Sequence, residues 1–476
     1  MSSATVCTSN ITSGFVDLAT YDELEKYLYG GPSATAYFVR ETRKATWFTL
    51  VPVVLSRATG NGDFGNDHSV NISRAGDYLL ATWLRVTTPS VGLAEQQSSS
   101  LRLRWTRNLM HNLIAECCIT FNDLSAARFD NYHLDFWAAF TTPAGKQNGY
   151  KNMIGDFDDL TAPHAFGYNL PAATLNLPLP FFYSRDSGVA LPTAALPYNE
   201  MRITYTFRGW RELLILDNLA AVGTGNNPSG PVEANQLTAV PQLTLCQTWA
   251  NYAIVSNDER KRMACAPRNI LIEQVQTAPL QSFNPVTNPS PSYDLRFSHA
   301  IKVLFFACRN TTVAPQWSNY TTATPLPATG PTGPTGAPCG DYGAVVNFAP
   351  CGALDPISNT SLTYENTARL SNMGSDYFSL VQPWYHAPVI PLETGYHMYS
   401  YSLDFICLDP KGSTNYGKLT NVSIAPVASA AAVVAANGDG NAASGNDFPQ
   451  TFRFVTTVVN NNIIRISGGA LGFPVL

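Results

Sequence analysis

The sequence predicts an all-β protein made of two β-sandwiches in tandem, and three observations predict it. Met201, Ile203, Tyr205 and Phe207 alternate with Arg202, Thr204, Thr206 and Arg208, the period of two that marks a half-buried strand. Short apolar runs recur between clusters of turn residues, and with 33 glycines and 33 prolines sustained helical periodicity is scarce. The third observation is a repeat in outline. A Pro-punctuated run leads into an alternating strand, a small-residue loop and a last strand, and the succession returns roughly 200 residues later.

At 476 residues the chain exceeds what one hydrophobic core usually serves, so two domains are expected. Hydrophobic residues make up 45% and charged residues only 13%, against roughly 25% charged in a typical soluble domain. Charge can cover little of such a surface, and a low-charge β protein should hide much of it in an oligomer. A net charge of -5 and a pI near 5.8 argue against a nucleic-acid binder, which carries a basic stripe. Arg102, Arg104 and Arg107, like Arg260, Lys261 and Arg262, read as a solvated face or as subunit ion pairs.

The opening MSSATVCTSNITSGF has no positive segment followed by an apolar core, so no secretory signal is expected. The longest weakly polar run, 425–436, is shorter than the ~20 residues that cross a bilayer. Nine cysteines without CxxC spacing suit neither a zinc site nor a disulfide framework and read as buried thiols. Adjacent Cys117 and Cys118 would face opposite sides of a strand. Cys339 and Cys351 bracket a Gly/Pro-rich loop and are the one pair suspected of bridging, against the free thiols that a reducing cytoplasm favours.

Taken in order, residues 1–32 read as an arm. Its first part is small and polar; then Thr20 with Glu23 forms a capping box, Tyr21, Leu24 and Leu28 mark an apolar helical face, and Gly30-Gly31-Pro32 stops the helix. The first sandwich is placed at 33–264. It holds strand-like runs at 47–55, 78–86 and 115–121, the last ending at Asn122-Asp123, then an irregular segment at 140–176. Pro178, Pro180, Pro192 and Pro197 punctuate the approach to the strand at 201–207, because proline cannot donate to a central ladder. Buried runs at 213–216 and 243–255 follow, and Ser256 with Glu259 opens a short helical turn at the domain junction. The second sandwich is placed at 265–476, with runs at 271–275 and 301–308 and a long insertion at 310–361. A proline-marked approach then leads to Tyr399, Tyr401, Leu403 and Phe405 in alternation. The insertion is expected to form an outward tower, with the collagen-spaced 330–338 as its tip; three triplets cannot sustain a triple helix.

No residue is nominated as catalytic, cofactor-binding or metal-ligating. Residues 60–65 match GxGxxG, but no apolar helical face follows on which a pyrophosphate would find a helix N-terminus, so a polar loop is the reading. Seven dispersed histidines lack HxH or HExxH; His386 and His397 flank one loop and read as core or interface hydrogen-bonding groups. Asp156, Asp158 and Asp159 lack EF-hand spacing and read as turn and capping residues. There is no GxSxG elbow. Glycosylation sequons such as Asn310 and Asn421 carry little weight without a secretory signal.

The stretch LPLPFFYSRDSGVALPTAALPYNEMRITYTFR resembles the corresponding segment of the major capsid proteins of nucleocytoplasmic large DNA viruses, the iridovirus and marseillevirus kind above all. GFVDLATYDELEKYLYGGPSATAYFVRE, WTRNLMHNLI, SNDERKRMA, DLRFSHAIKVLFF, SLTYENTARL and QPWYHAPVIPLETGYHMYSYSL resemble the same family, collinearly from end to end. The resemblance implies a double jelly roll, two eight-stranded antiparallel β-sandwiches with a short N-terminal helix. It further implies a homotrimer forming a pseudo-hexagonal capsomer, assembled in the host cytoplasm into an icosahedral shell over an internal viral membrane. Neighbouring capsomers, penton proteins and minor capsid proteins would be its partners, without direct nucleic-acid contact or cofactors. The rival reading is a carbohydrate-binding or glycan-hydrolysing β-sandwich, which would need clustered carboxylates or aromatic platforms that the sequence does not display.

Overall fold

In the computed structural model, eight strands from each half of the chain pair in one and the same order. The first half supplies β1 (Phe48–Val54), β2 (Asp67–Asn71), β3 (Tyr78–Thr87), β4 (Ile114–Phe121), β5 (Leu124–Phe129), β6 (Thr174–Pro178), β7 (Met201–Phe207) and β8 (Leu245–Val255). The second supplies β9 (Arg268–Thr277), β10 (Tyr293–Asp294), β11 (Ala300–Asn310), β12 (Ile357–Tyr364), β13 (Thr367–Gly374), β14 (His397–Ser400), β15 (Val422–Ala428) and β16 (Phe452–Ser467). The sheets run β1-β8-β3-β6 and β2-β7-β4-β5, then β9-β16-β11-β14 and β10-β15-β12-β13. Numbered within its own half, each sandwich reads 1-8-3-6 against 2-7-4-5. This is a double jelly roll. The structure describes residues 11–40, 42–94, 100–222, 224–323, 354–438 and 448–473. Met1–Trp47 and Phe48–Leu476 form separate units, both sandwiches lying in the second.

Side-chain alternation builds the cores. On β7, Met201, Ile203, Tyr205 and Phe207 are buried and Thr206 is exposed, as the period of two requires. They pack with Leu84, Val86, Ile119 and Tyr252 in the first core. Asn122 and Asp123, at φ 48° and 63°, turn the β4-β5 hairpin through the left-handed region that a two-residue loop demands. On β11, Leu304, Phe306 and Cys308 enter the second core, while Val303, Phe305 and Ala307 enter a separate cluster on the other face. That double burial is why 303–308 is apolar without alternation.

Several expectations are corrected. Residues 11–19, read as part of a loose arm, form helix α1 (Ile11–Ala19). The next helix is α2 (Glu23–Leu28), and its capping box uses Asp22 and Glu25 rather than Thr20 and Glu23. The segment 140–176 is helical in its first part, with Gln147–Ile154 and Asp158–Thr161 after α3 (Asn131–Thr141). Ser256 is an N-cap without a side-chain bond, so that capping box is not made. The strand at 399–405 ends at Ser400: Ser400 Oγ donates to Ser402 O and Ser402 Oγ to Asp404 O, local bonds that replace the ladder. Of the proposed tower, 357–361 belongs to β12, and Val313, Gln316, Ser318, Asn319 and Tyr320 are buried. The tip at 330–338, Cys339 and Cys351 lie outside the described residues.

Candidate functional site

The candidate residues of the sequence are dispersed by the fold. Gly60 lies in the turn between the short strand Ser56–Thr59 and β2, at φ +83°, where a Cβ would stand 1.9 Å from the Asp67 carbonyl oxygen; the glycines serve a tight turn. His386 places Nδ1 3.1 Å from the Leu403 carbonyl, while buried His397 places Nε2 2.6 Å from Asp355 Oδ2 and 2.7 Å from Ser375 Oγ. Each histidine has its own partners. Asp158 and Asp159 sit in the first turn of a short helix, and Asp156 pairs with Arg107 at 3.4 Å. Among the described residues no three His, Cys, Asp or Glu side chains are grouped to hold a metal. Cys117 is buried and the next residue, Cys118, is less so, on opposite sides of β4.

The arginine cluster was expected on a solvated face or between subunits, and the structure corrects this. Arg104 lies wholly buried on Leu101–Trp105, and its Nε donates to Asp217 Oδ2 at 2.6 Å on the adjoining strand Leu214–Asn218. Arg107 is buried as well, paired with Glu393 of the second sandwich and Asp156 of the first. Burial alone would pull its pKa down, but the two carboxylates outweigh that and hold it well above the usual arginine range.

Arg107 belongs to a junction that locks the two sandwiches together, whereas the Arg104–Asp217 pair lies within the first. Asp130 caps α3 by accepting from the His133 N–H, and Tyr132, Phe136 and Phe140, spaced by four, form one apolar stripe. That stripe lies on the outer face of β9-β16-β11-β14, against Val303, Phe305, Met398, Val455 and Val459. From the same helix, buried Asp135 accepts from Ser318 Oγ at 3.0 Å and Tyr320 OH at 2.8 Å, with His111 Nδ1 at 2.7 Å. The Trp317 ring sits between two guanidiniums, Arg208 at 3.8 Å and Arg309 at 3.9 Å, and its Nε1 donates to Glu212 O at 2.8 Å. A third bridge joins Arg185 to Glu273 Oε2 at 3.1 Å, with Lys302 Nζ on Glu273 Oε1 at 2.5 Å. Beside it His133 is buried, and burial with the nearby Arg185 charge pushes its pKa down to about 3. A cavity of about 90 Å³ remains between Arg107, His111, Asp135, Tyr150 and Glu393.

Such a junction fixes two like sandwiches in one orientation. The sequence held one readable signal for it, Asp130 followed by the Tyr132, Phe136, Phe140 spacing. The surface carries a second kind of feature. Phe48, Leu50 and Val54 are exposed along β1, and Trp384 and Tyr385 stand 72% and 73% exposed on the second sandwich. Large apolar groups in such clusters mark interaction surfaces.

Comparison with known proteins agrees with this architecture. Residues 36–255 match the family model described as major capsid protein N-terminus, and residues 259–472 that described as large eukaryotic DNA virus major capsid protein. The chain is 64% identical over 471 residues to the major capsid protein of Costelytra zealandica iridescent virus, covering 98% of this chain and 99% of that one. It is 63% identical over 464 residues to that of Wiseana iridescent virus, covering 97% and 93%. Its fold is similar to the crystal structure of PBCV-1 VP54 fitted into a cryo-EM reconstruction of the virophage Sputnik, with TM-score 0.71, 20% identity and 93% and 100% of the two chains covered.

Proposed function

The chain belongs to the family of large eukaryotic DNA virus major capsid proteins, and we propose that three copies close into a pseudo-hexagonal capsomer that tiles an icosahedral shell. Its role is structural rather than enzymatic, and its place is the capsid shell of the virion. The observation that carries the proposal is the repeated strand order, 1-8-3-6 against 2-7-4-5 in both halves. Three chains with two like sandwiches each present six like units, so a three-fold assembly can fill a nearly six-fold tile. The buried junction supports this, because a tile needs the angle between its sandwiches held.

The domain reading is an arm at 1–32 and jelly rolls at 33–264 and 265–476. It is supported by the break between the two family models and by the helix Asn257–Cys265 lying between β8 and β9. Neighbouring capsomers, penton and minor capsid proteins and the internal viral membrane are the partners this reading assigns. Native mass measurement of the purified chain is the test. A trimer at micromolar concentration is expected, since obligate interfaces bury on the order of 2,000 to 5,000 Å²; a folded monomer would overturn the proposal.

A further inference from the structure

The two sandwiches carry the same helix at the same place, but only one of the two helices is covered. In the first half α3 begins two residues after β5, the fifth strand of its sandwich. In the second half a continuous helical run, 375–386, begins directly after β13, again the fifth strand. α3 lays Phe136 and Phe140 on the outer face of the 1-8-3-6 sheet of the second sandwich. The run at 375–386 buries Phe378 and Pro383 but leaves Val381, Trp384 and Tyr385 exposed.

The matching sheet in the first sandwich has the complementary gap. Across β1-β8-β3-β6, Val54 pairs with Trp249, Trp249 with Trp83, and Trp83 with Pro178. The rows on either side turn inward, Ala250 on one and Leu84 with Leu177 on the other lying in the core, so Val54, Trp249, Trp83 and Pro178 line the outer face. Trp83 and Trp249 stack there at 6.1 Å, neither of them fully buried. Val54, Leu50 and Phe48 extend the apolar surface at 41%, 49% and 56% exposure along β1. An exposed edge strand of this composition is one that proteins cover.

We infer that the 375–386 helix of one copy seats on the outer face of the first-sandwich sheet of the next copy, with Trp384 and Tyr385 against Trp83, Trp249 and Val54. The contact between copies then repeats the contact that α3 makes within the chain. It is head-to-tail, the kind that closes into a ring when the rotation per step divides the circle. This rests on the trimer reading and names the surfaces that form it.

The test uses the full chain. A photo-activated phenylalanine analogue at position 384 is expected to give covalent species up to trimer mass, with adducts mapping to 48–54, 78–87 or 245–255 of another copy, distinguished by co-expressing isotope-labelled chain. Trp384→Ala with Tyr385→Ala should weaken association by about a hundredfold or more, as loss of central aromatic anchors does. Both side chains are exposed in the single chain, so the far-UV circular dichroism of the folded chain should be unchanged. Adducts confined to the same chain or to residues 1–47, or a doubly substituted chain that stays trimeric, would overturn the inference while leaving the trimer standing. A wild-type chain that is itself monomeric would instead remove the trimer reading.

Discussion

Phe136 of the first sandwich stacks on Phe305 of the second, ring centroids 5.7 Å apart and planes 6° from parallel. Phe305 alternates with Leu304 and Phe306 of the second core, so one strand serves both its own sandwich and the junction. The orientation of the two sandwiches therefore depends on the packing that also folds the second one, and it cannot relax without a cavity opening.

Phe136→Ala should accordingly cost about 3–5 kcal/mol, the range for deleting a buried ring. Leu403→Ala, at a position 74% exposed on the second sandwich, should stay within about 0.5 kcal/mol. Denaturant unfolding of the two variants beside the wild type checks this; equal midpoints would mean that the α3 contact contributes nothing to the fold.

The Arg104 and Asp217 pair allows a sharper comparison, because both side chains are entirely buried. Asp217→Ala removes the carboxylate and leaves its partner charge in the interior, a loss of roughly 3–5 kcal/mol. Salt screens buried pairs weakly, so the loss should be the same at low and at molar ionic strength. Glu233→Ala breaks the pair with Arg211, whose side chains are 56% and 61% exposed; there the change should be ~0–1 kcal/mol and should vanish in salt.

His133 gives the fold a defined acid limit. Its folded pKa is held down to about 3 by burial and Arg185, while the unfolded chain titrates near the ordinary 6.5. Above pH 6.5 both states are neutral and the group adds no pH dependence. As pH falls below that, the unfolded chain binds a proton that the native state refuses, so stability drops by roughly 1 kcal/mol per pH unit until the folded pKa is reached. His133→Phe should remove this slope, leaving the variant less acid-sensitive than the wild type between pH 6.5 and 4. Parallel curves of Tm against pH would show that the imidazole is not the responsible group.

Legibility followed local physics. The β7 alternation could be read because one face is core and the other is not, and Asn122-Asp123 because the turn chemistry is local. The sequence reading makes no helix of α3, because the four-residue spacing of Tyr132, Phe136 and Phe140 is blurred when Asn131, His133, Leu134 and Asp135 are buried too. The alternation from Tyr399 to Phe405 misled for the opposite reason: the pattern is there, but serine side chains capture the backbone after Ser400. Arg107 and Glu393 lie 286 residues apart, and nothing local in either residue announces the other.

The arm offers the last prediction. α1 carries Ile11, Phe15 and Leu18 at helical spacing, 77%, 66% and 74% exposed, and α2 adds Leu24 and Leu28 at 67% and 64%. Helices of nine and six residues are marginal alone, since isolated helices need about 12–15 residues. Stripes of this kind are formed to be covered, and each side chain buried could contribute roughly 1.5–3 kcal/mol. The two sandwich cores are built from residues of 48–476. Deleting residues 1–31 should therefore leave a soluble trimer with nearly the wild-type Tm, while particle assembly, or binding to membranes and minor capsid proteins, fails. Sedimentation and thermal unfolding of the truncated chain decide it: a chain that aggregates or melts many degrees early would place the arm among the elements that hold the jelly rolls together, and its role in assembly would have to be abandoned.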